Sequence, residues 1–198
     1  MKTITYGIFA EDAANRIFMR NTIPQLVEYF DKSSDIAFQH EDKFTEFVRP
    51  NNGLDTRERF IGAADVGFDN FGLDVCFVGA DCDDDIFENV FSEMQKNCIK
   101  ENVQDRILIY IPVQAIEYWL WYIKVKAEDA ALQKTPPIKT ENRKDMKKKV
   151  YNRIKPTNTK SNPIVESLSN SFDINWLRQC SDSFDAFAKE FENYIKKL

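Results

Sequence analysis

Residues 73–85, Leu-Asp-Val-Cys-Phe-Val-Gly-Ala-Asp-Cys-Asp-Asp-Asp, constrain this chain more than any other stretch. Residues 75–78 are a short apolar run rich in Val and Phe that stops at Gly79, the pattern of a buried strand. Four carboxylates, Asp81, Asp83, Asp84 and Asp85, follow within five residues. In an open α/β sheet, ligands bind at the C-terminal ends of the strands. Like charges this close repel one another and need either good solvation or a cation. Carboxylate oxygens suit Mg²⁺ or Mn²⁺; a solvated loop is the competing reading.

The rest of the chain arranges itself around that strand. Residues 3–10 read as a first strand, with Glu11 and Asp12 after it. Residues 13–30 carry Ile17, Phe18, Ile23, Leu26, Val27 and Phe30 near helical spacing, and Pro24 is expected to split this helix in two. Residues 36–38 and 44–48 read as strands and 55–71 as a helix. A further helix runs to Lys100 with Ile86, Phe87, Val90, Phe91 and Met94 inward; Asp84 and Asp85 at its start also favour the helix dipole. Residues 106–111 form the clearest strand, followed by a helix from Ala115 to about Lys126. Beyond it come a basic helix at 141–153, a flexible connection at 156–163 and short helical pieces at 164–168 and 174–177. An amphipathic helix over 184–198 ends the chain. Alternation of strand and helix predicts an α/β fold with a mainly parallel central sheet flanked by helices, and a helical C-terminal part. Residues 1–130 are expected to form the α/β domain and 131–198 an extension packed on it.

Composition excludes several classes. No apolar run approaches the roughly 18–20 residues of a membrane span, so no membrane partner is expected. Acids follow the first strand too soon for a secretory leader, and a cytoplasmic location is expected. The four cysteines form no CxxC pair and His40 is the one histidine, which argues against a Cys/His zinc site and a hydrolase triad. Charge is unevenly placed. Residues 139–160 hold nine Lys or Arg against two acids, a local +7 that leaves −12 on the remainder of a −5 chain. An acidic body with one basic segment fits an enzyme acting on a polyanion; it also fits a solvated helix.

Acids follow three of the predicted strands: Glu11 the first, Asp81, Asp83 and Asp85 a middle one, and Glu117 the strand at 106–111. In a parallel sheet these positions lie along one edge. Each alone also reads as an acid at a helix N-terminus. Glu117 differs in its neighbours, Ile116, Tyr118 and Trp119, because a carboxylate in apolar company needs a partner.

The segments Ile8-Phe9-Ala10-Glu11 and Phe77-Val78-Gly79-Ala80-Asp81-Cys82-Asp83 resemble the TOPRIM pattern, a Glu after the first strand and Asp-x-Asp after the third. That domain occurs in topoisomerases, bacterial primases and OLD-type nucleases. Ile116-Glu117-Tyr118-Trp119-Leu120 is similar to a segment of small stand-alone TOPRIM-like proteins, several of them associated with phage defence. The resemblance covers roughly residues 3–125. It departs at Asp12, where the family usually has Gly. It implies a Mg²⁺- or Mn²⁺-dependent nuclease or related phosphodiester-processing enzyme acting on DNA or RNA. Asp81 and Asp83 would bind the metal, Glu11 would complete the site or act as general acid–base, and Asp85 and Glu117 would support a second ion. Lys144, Lys147, Lys148 and Arg153 would contact nucleic-acid phosphates. Trp119, Trp121 and Tyr122 would stack on bases or fill the core. The alternative is a non-catalytic module that binds a partner protein, such as the ATPase of a defence system. A receiver-like phosphoacceptor domain would need a lysine after a late strand, and Lys124 and Lys126 lie too deep in a helix.

Overall fold

Alternation along the first strand decides how the sheet is covered. Strand β1 (Lys2–Ala10) turns Ile4, Tyr6, Ile8 and Ala10 to one apolar cluster and Phe9 to another, the period of two that an extended chain imposes. All five are buried, so β1 needs helices on both sides. The computed structural model describes residues 2–31, 33, 35–82, 85–133 and 142–198.

Strands β2 (Ile36–His40), β3 (Val75–Gly79) and β4 (Ile107–Tyr110) complete the sheet. Its order is β2-β1-β3-β4 and every pairing is parallel. Register sets Ala10 beside Gly79 and Gly79 beside Tyr110. A side chain at Gly79 would overlap the Tyr110 ring, so glycine is what lets the two strands carry that ring between them. The chain leaves β1 for β2 on one side and later returns to lay β3 on the other. That reversal makes the gap between β1 and β3 the topological switch point.

Helix α1 (Ala13–Phe30) covers one face; α2 (Asp42–Phe47), α3 (Gly53–Phe71) and α4 (Phe87–Lys100) cover the other. Helix α5 (Glu117–Glu128) joins α1, as do α6 (Arg143–Tyr151), α7 (Asn158–Ser169), α8 (Ile174–Cys180) and α9 (Asp182–Lys197). In α9, Phe187 and Phe191 pack on Phe77 of the sheet. The fold is α/β with a parallel four-stranded sheet and helical C-terminal elements, as the strand–helix alternation predicts.

Three expectations need correction. Residues 44–48 belong to helix α2 and its C-cap rather than a strand. Phe44 is fully buried whereas Phe47 is 76% exposed, and a Cβ at Gly7 of β1 would collide with the Phe44 ring. One aromatic ring seated on a bare glycine anchors this short helix. Pro24 does not split α1, which runs through it. The proline is exposed, so the carbonyl it leaves unpaired can meet water, while Phe18, Met19, Ile23 and Leu26 are fully buried and bind both halves to the sheet. Residues 156–163 are not a connection throughout, because α7 begins at Asn158 and contains Pro163. Its buried side is Ser161, Val165 and Ser169, a helical stripe whose serines hide it from hydropathy. Asn21 and Gln25 of α1 donate to Ser169 at 3.0 and 2.7 Å.

Candidate carboxylate centre

Helix α1 starts on Asp12, whose side chain accepts the Asn15 amide at 2.8 Å. A carboxylate at this position caps an orphan donor and favours the helix dipole. The Asn15 side-chain amide then donates twice, to Asp12 Oδ1 at 3.1 Å and to Asp81 Oδ1 at 3.3 Å. One buried amide therefore ties the acid after β1 to the acid after β3, across the switch point. Asp81 is only 3% exposed, and its second oxygen accepts from Arg143 Nη2 at 2.8 Å.

Glu117 opens α5, beyond the end of β4, and is 3% exposed. Its Oε1 lies 3.7 Å from Lys147 Nζ. The buried Tyr151 hydroxyl is placed to donate a hydrogen bond to the Glu117 carboxylate, which helps the phenol keep its proton. Arg143 and Lys147 are four residues apart on α6 and so share a face. Helix α6 lays that face over the carboxylates while Met146 and Val150 enter the core.

Burial, more than any neighbour, pushes the Asp81 carboxyl up to about 8; Asp12 and Glu117 push the same way, while Arg143 and Asn15 oppose. Glu117 is raised for the same first reason, with Lys147 opposing and Asp12 adding. Asp12, Asp81 and Glu117 thus share one electrostatic field. Three carboxylates face two cations.

This is the set the structure brings together. Glu11 stands one residue earlier, just after β1, with its carbonyl oxygen accepting from Arg16; Asp12 is a carboxylate that raises both Asp81 and Glu117. Asp83 lies outside the described residues. Asp85 is held 2.6 Å from Arg57 of α3, which also donates to the Asp81 carbonyl. Lys147 is turned to Glu117, whereas Lys144, Lys148 and Arg153 are exposed. Trp119 is core: it is buried, and its indole donates to Ser181 and Ser183. The Lys149 ammonium sits 5.1 Å from the Trp121 ring centre.

Sequence reasoning missed Asp12, Asn15, Arg143 and Tyr151 as members of the site. The Asp12-x-x-Asn15 spacing at a helix start was the available signal for the first two. For Arg143 and Tyr151 no signal was available, because their approach depends on where α6 docks.

By chemical type the carboxylates of Asp12, Asp81 and Glu117 suit a hard divalent cation. In arrangement, Arg143 and Lys147 stand where such an ion would neutralise charge. Among the described residues no group of three Asp, Glu, His or Cys side chains is placed to hold a metal. Beside Glu117 a cleft of about 270 Å³ opens between α6 and α7. Comparison with protein-family models, curated proteins and solved structures finds no match for this chain.

Proposed function

We propose that the protein is a divalent-metal-dependent phosphodiesterase of TOPRIM-like design that acts on nucleic-acid strands. The observation that carries the reading is the meeting of Asp12, Asp81 and Glu117, each from the end of a different parallel strand, beneath a basic helix. Asp81 and Glu117 would hold Mg²⁺ or Mn²⁺, with Asp12 in the part expected of Glu11. Such an ion supplies charge neutralisation at phosphoryl oxygens and a more acidic bound water. The chain's own groups do the rest. Asn15 keeps Asp12 and Asp81 adjacent. Glu117, raised by burial, holds its proton more tightly than an ordinary glutamate when no metal is bound. Arg143 and Lys147, relieved of their carboxylates when a metal binds, turn their charge to the phosphate. Lys144, Lys148 and Arg153 give the outer face a positive rim that neutralises backbone phosphates without reading sequence.

A second reading rests on those same two cations. Asp81 paired with Arg143 and Glu117 with Lys147 leave little charge for a metal to neutralise, which suits a non-catalytic module docked on a protein partner such as an ATPase of a defence system.

One experiment separates them. Purified protein is incubated with single- and double-stranded DNA and RNA in Mg²⁺ or Mn²⁺, beside Asp81→Ala, and metal binding is followed by calorimetry. The enzyme reading expects cleavage and metal binding that both vanish in the variant. Absence of cleavage with unchanged metal response in Asp81→Ala overturns it, and activity that appears only with a co-purified protein favours the second reading.

A further inference from the structure

We infer that the groove between the start of α4, the turn before α5 and the junction of α8 with α9 docks an extended segment of a partner protein, one that carries Arg or Lys beside an aliphatic side chain. The inference deepens the partner-binding reading by naming the surface and the chemistry it takes, and it rests on that reading for the existence of a partner.

The groove holds about 500 Å³. Its lining is aromatic at depth, where Tyr118 and Trp119 are buried and Phe87 and Tyr122 half-buried. Ile86 and Val113 border it at 62% and 42% exposure. Two positions here break the rules of their own elements. Ile86 is the N-cap of α4 and makes no side-chain capping bond, at a position that favours Ser, Thr, Asp or Asn. Gln114 takes a left-handed φ of 63°, a conformation that strains a residue with a Cβ. The Tyr118 hydroxyl, donating to its side-chain oxygen, holds it there. An exposed isoleucine where a capping oxygen belongs gains nothing for α4, and departures of this kind gather where a surface is used.

Charge decides what the groove takes. Among the described residues its lining holds three acids, Asp85, Glu88 and Asp182, and no lysine or arginine. Asp85 is paired with Arg57. Glu88 and Asp182 are exposed in the first turns of α4 and α9, where each also suits the helix dipole. Such a lining repels a nucleic-acid strand and attracts a cationic side chain. The stem of an Arg or Lys can lie along aromatic rings that also attract its charge, while an aliphatic neighbour covers Ile86 and Val113. The place matters as much as the chemistry. Asp85 shares Arg57 with the Asp81 carbonyl, and Gln114 and Tyr118 lie on either side of Glu117 in the chain. A segment seated here touches both turns that carry the buried carboxylates.

The test is a selection. A phage-displayed library of random twelve-residue peptides is panned on the full-length protein, with a triple variant, Ile86→Ser with Glu88→Gln and Asp182→Asn, as the counter-target. All three side chains are exposed, and the variant's urea transition verifies its fold. The expected result is enrichment of peptides with Arg or Lys next to Leu, Ile or Val. A synthetic representative should bind the variant about tenfold more weakly and shift the amides of Ile86, Val113 and Asp182 in ¹⁵N-labelled protein. No enrichment, enrichment of acidic or uncharged peptides, or equal binding to the variant overturns the inference. A wild-type dimer that the variant loses would assign the groove to a second copy and overturn it too. A co-purified protein that binds wild type and variant equally would sink the groove and spare the partner-binding reading. Cleavage of nucleic acid by the purified protein alone would sink the non-catalytic reading, and the peptides would still decide the groove.

Discussion

Two effects of opposite sign act on the Asp81 carboxyl. Burial opposes its charge and Arg143 at 2.8 Å favours it, and burial is the larger. The folded carboxyl therefore keeps its proton up to about 8, whereas in the unfolded chain an Asp releases it near pH 4. Between those values the native state binds more protons, so stability falls as pH rises through the window. Asp81→Asn keeps acceptor and shape but removes the titration. Its urea midpoint is expected to fall less than that of the wild type between pH 4.5 and 8. The difference in stability between variant and wild type should therefore move in the variant's favour as pH rises through that window. Parallel pH profiles for the two proteins would mean that the Arg143 ion pair offsets burial and the carboxyl is not raised. Glu117 is raised as well, but it remains in both proteins and cancels in the comparison.

Helix α6 has three sides, each with its own task. Met146 and Val150 are buried, Arg143 and Lys147 meet carboxylates, and Lys144 and Lys148 face solvent. A basic run read only by composition merges the last two groups. Separating them yields a prediction for Lys147. In Lys147→Ala, Glu117 is left buried with only the weaker influence of Arg143 to favour its charge. The loss at pH 8 is expected to be about 1–3 kcal/mol, measured by urea unfolding, and to shrink at pH 4 as Glu117 takes up its proton. An equal loss at both pH values would assign the effect to packing of the lysine stem instead. Helix α7 teaches a different lesson. Its inward stripe, Ser161, Val165 and Ser169, is small and polar because it lies close against α1, where Asn21 and Gln25 supply the hydrogen bonds.

Taken as a body, the molecule is a parallel sheet whose two faces are covered by different parts of the chain. Helices α2 to α4 cover one face, while α1 and helices α5 to α9 cover the other. Phe184, Phe187 and Phe191 of α9 are fully or almost fully buried, and they contact Trp119, Tyr110 and Phe77. Removing residues 182–198 would bare that face of β3 and β4. Losing three buried Phe side chains costs about 3–5 kcal/mol each, against a total stability of about 5–15 kcal/mol for a typical domain. The shortened chain is expected to lose its cooperative urea transition and its near-ultraviolet dichroism. A sharp transition in that chain would show that the sheet and the remaining helices fold without α9.

Local chemistry along the chain was enough to mark the strands and most helices. The apolar run at Val75–Gly79, the run at Ile107–Tyr110 and the Phe-rich stripe of α9 announce themselves through spacing that the backbone period imposes. The expectation that acids gather after successive strands also came from order alone, since parallel strands must all end on one side. Which acids gather did not. Glu11 and Asp12 are adjacent, and the capping of α1 by Asp12, not composition, places that carboxylate beside Asn15 and Asp81. Arg143 reaches Asp81 across 62 residues, a meeting that depends on strand order and on the docking of α6. Hydropathy repeats over a few residues and carries no record of contacts so far apart. The raised carboxyls follow from that same packing, because burial of a charge exists only once the surrounding helices have closed over it.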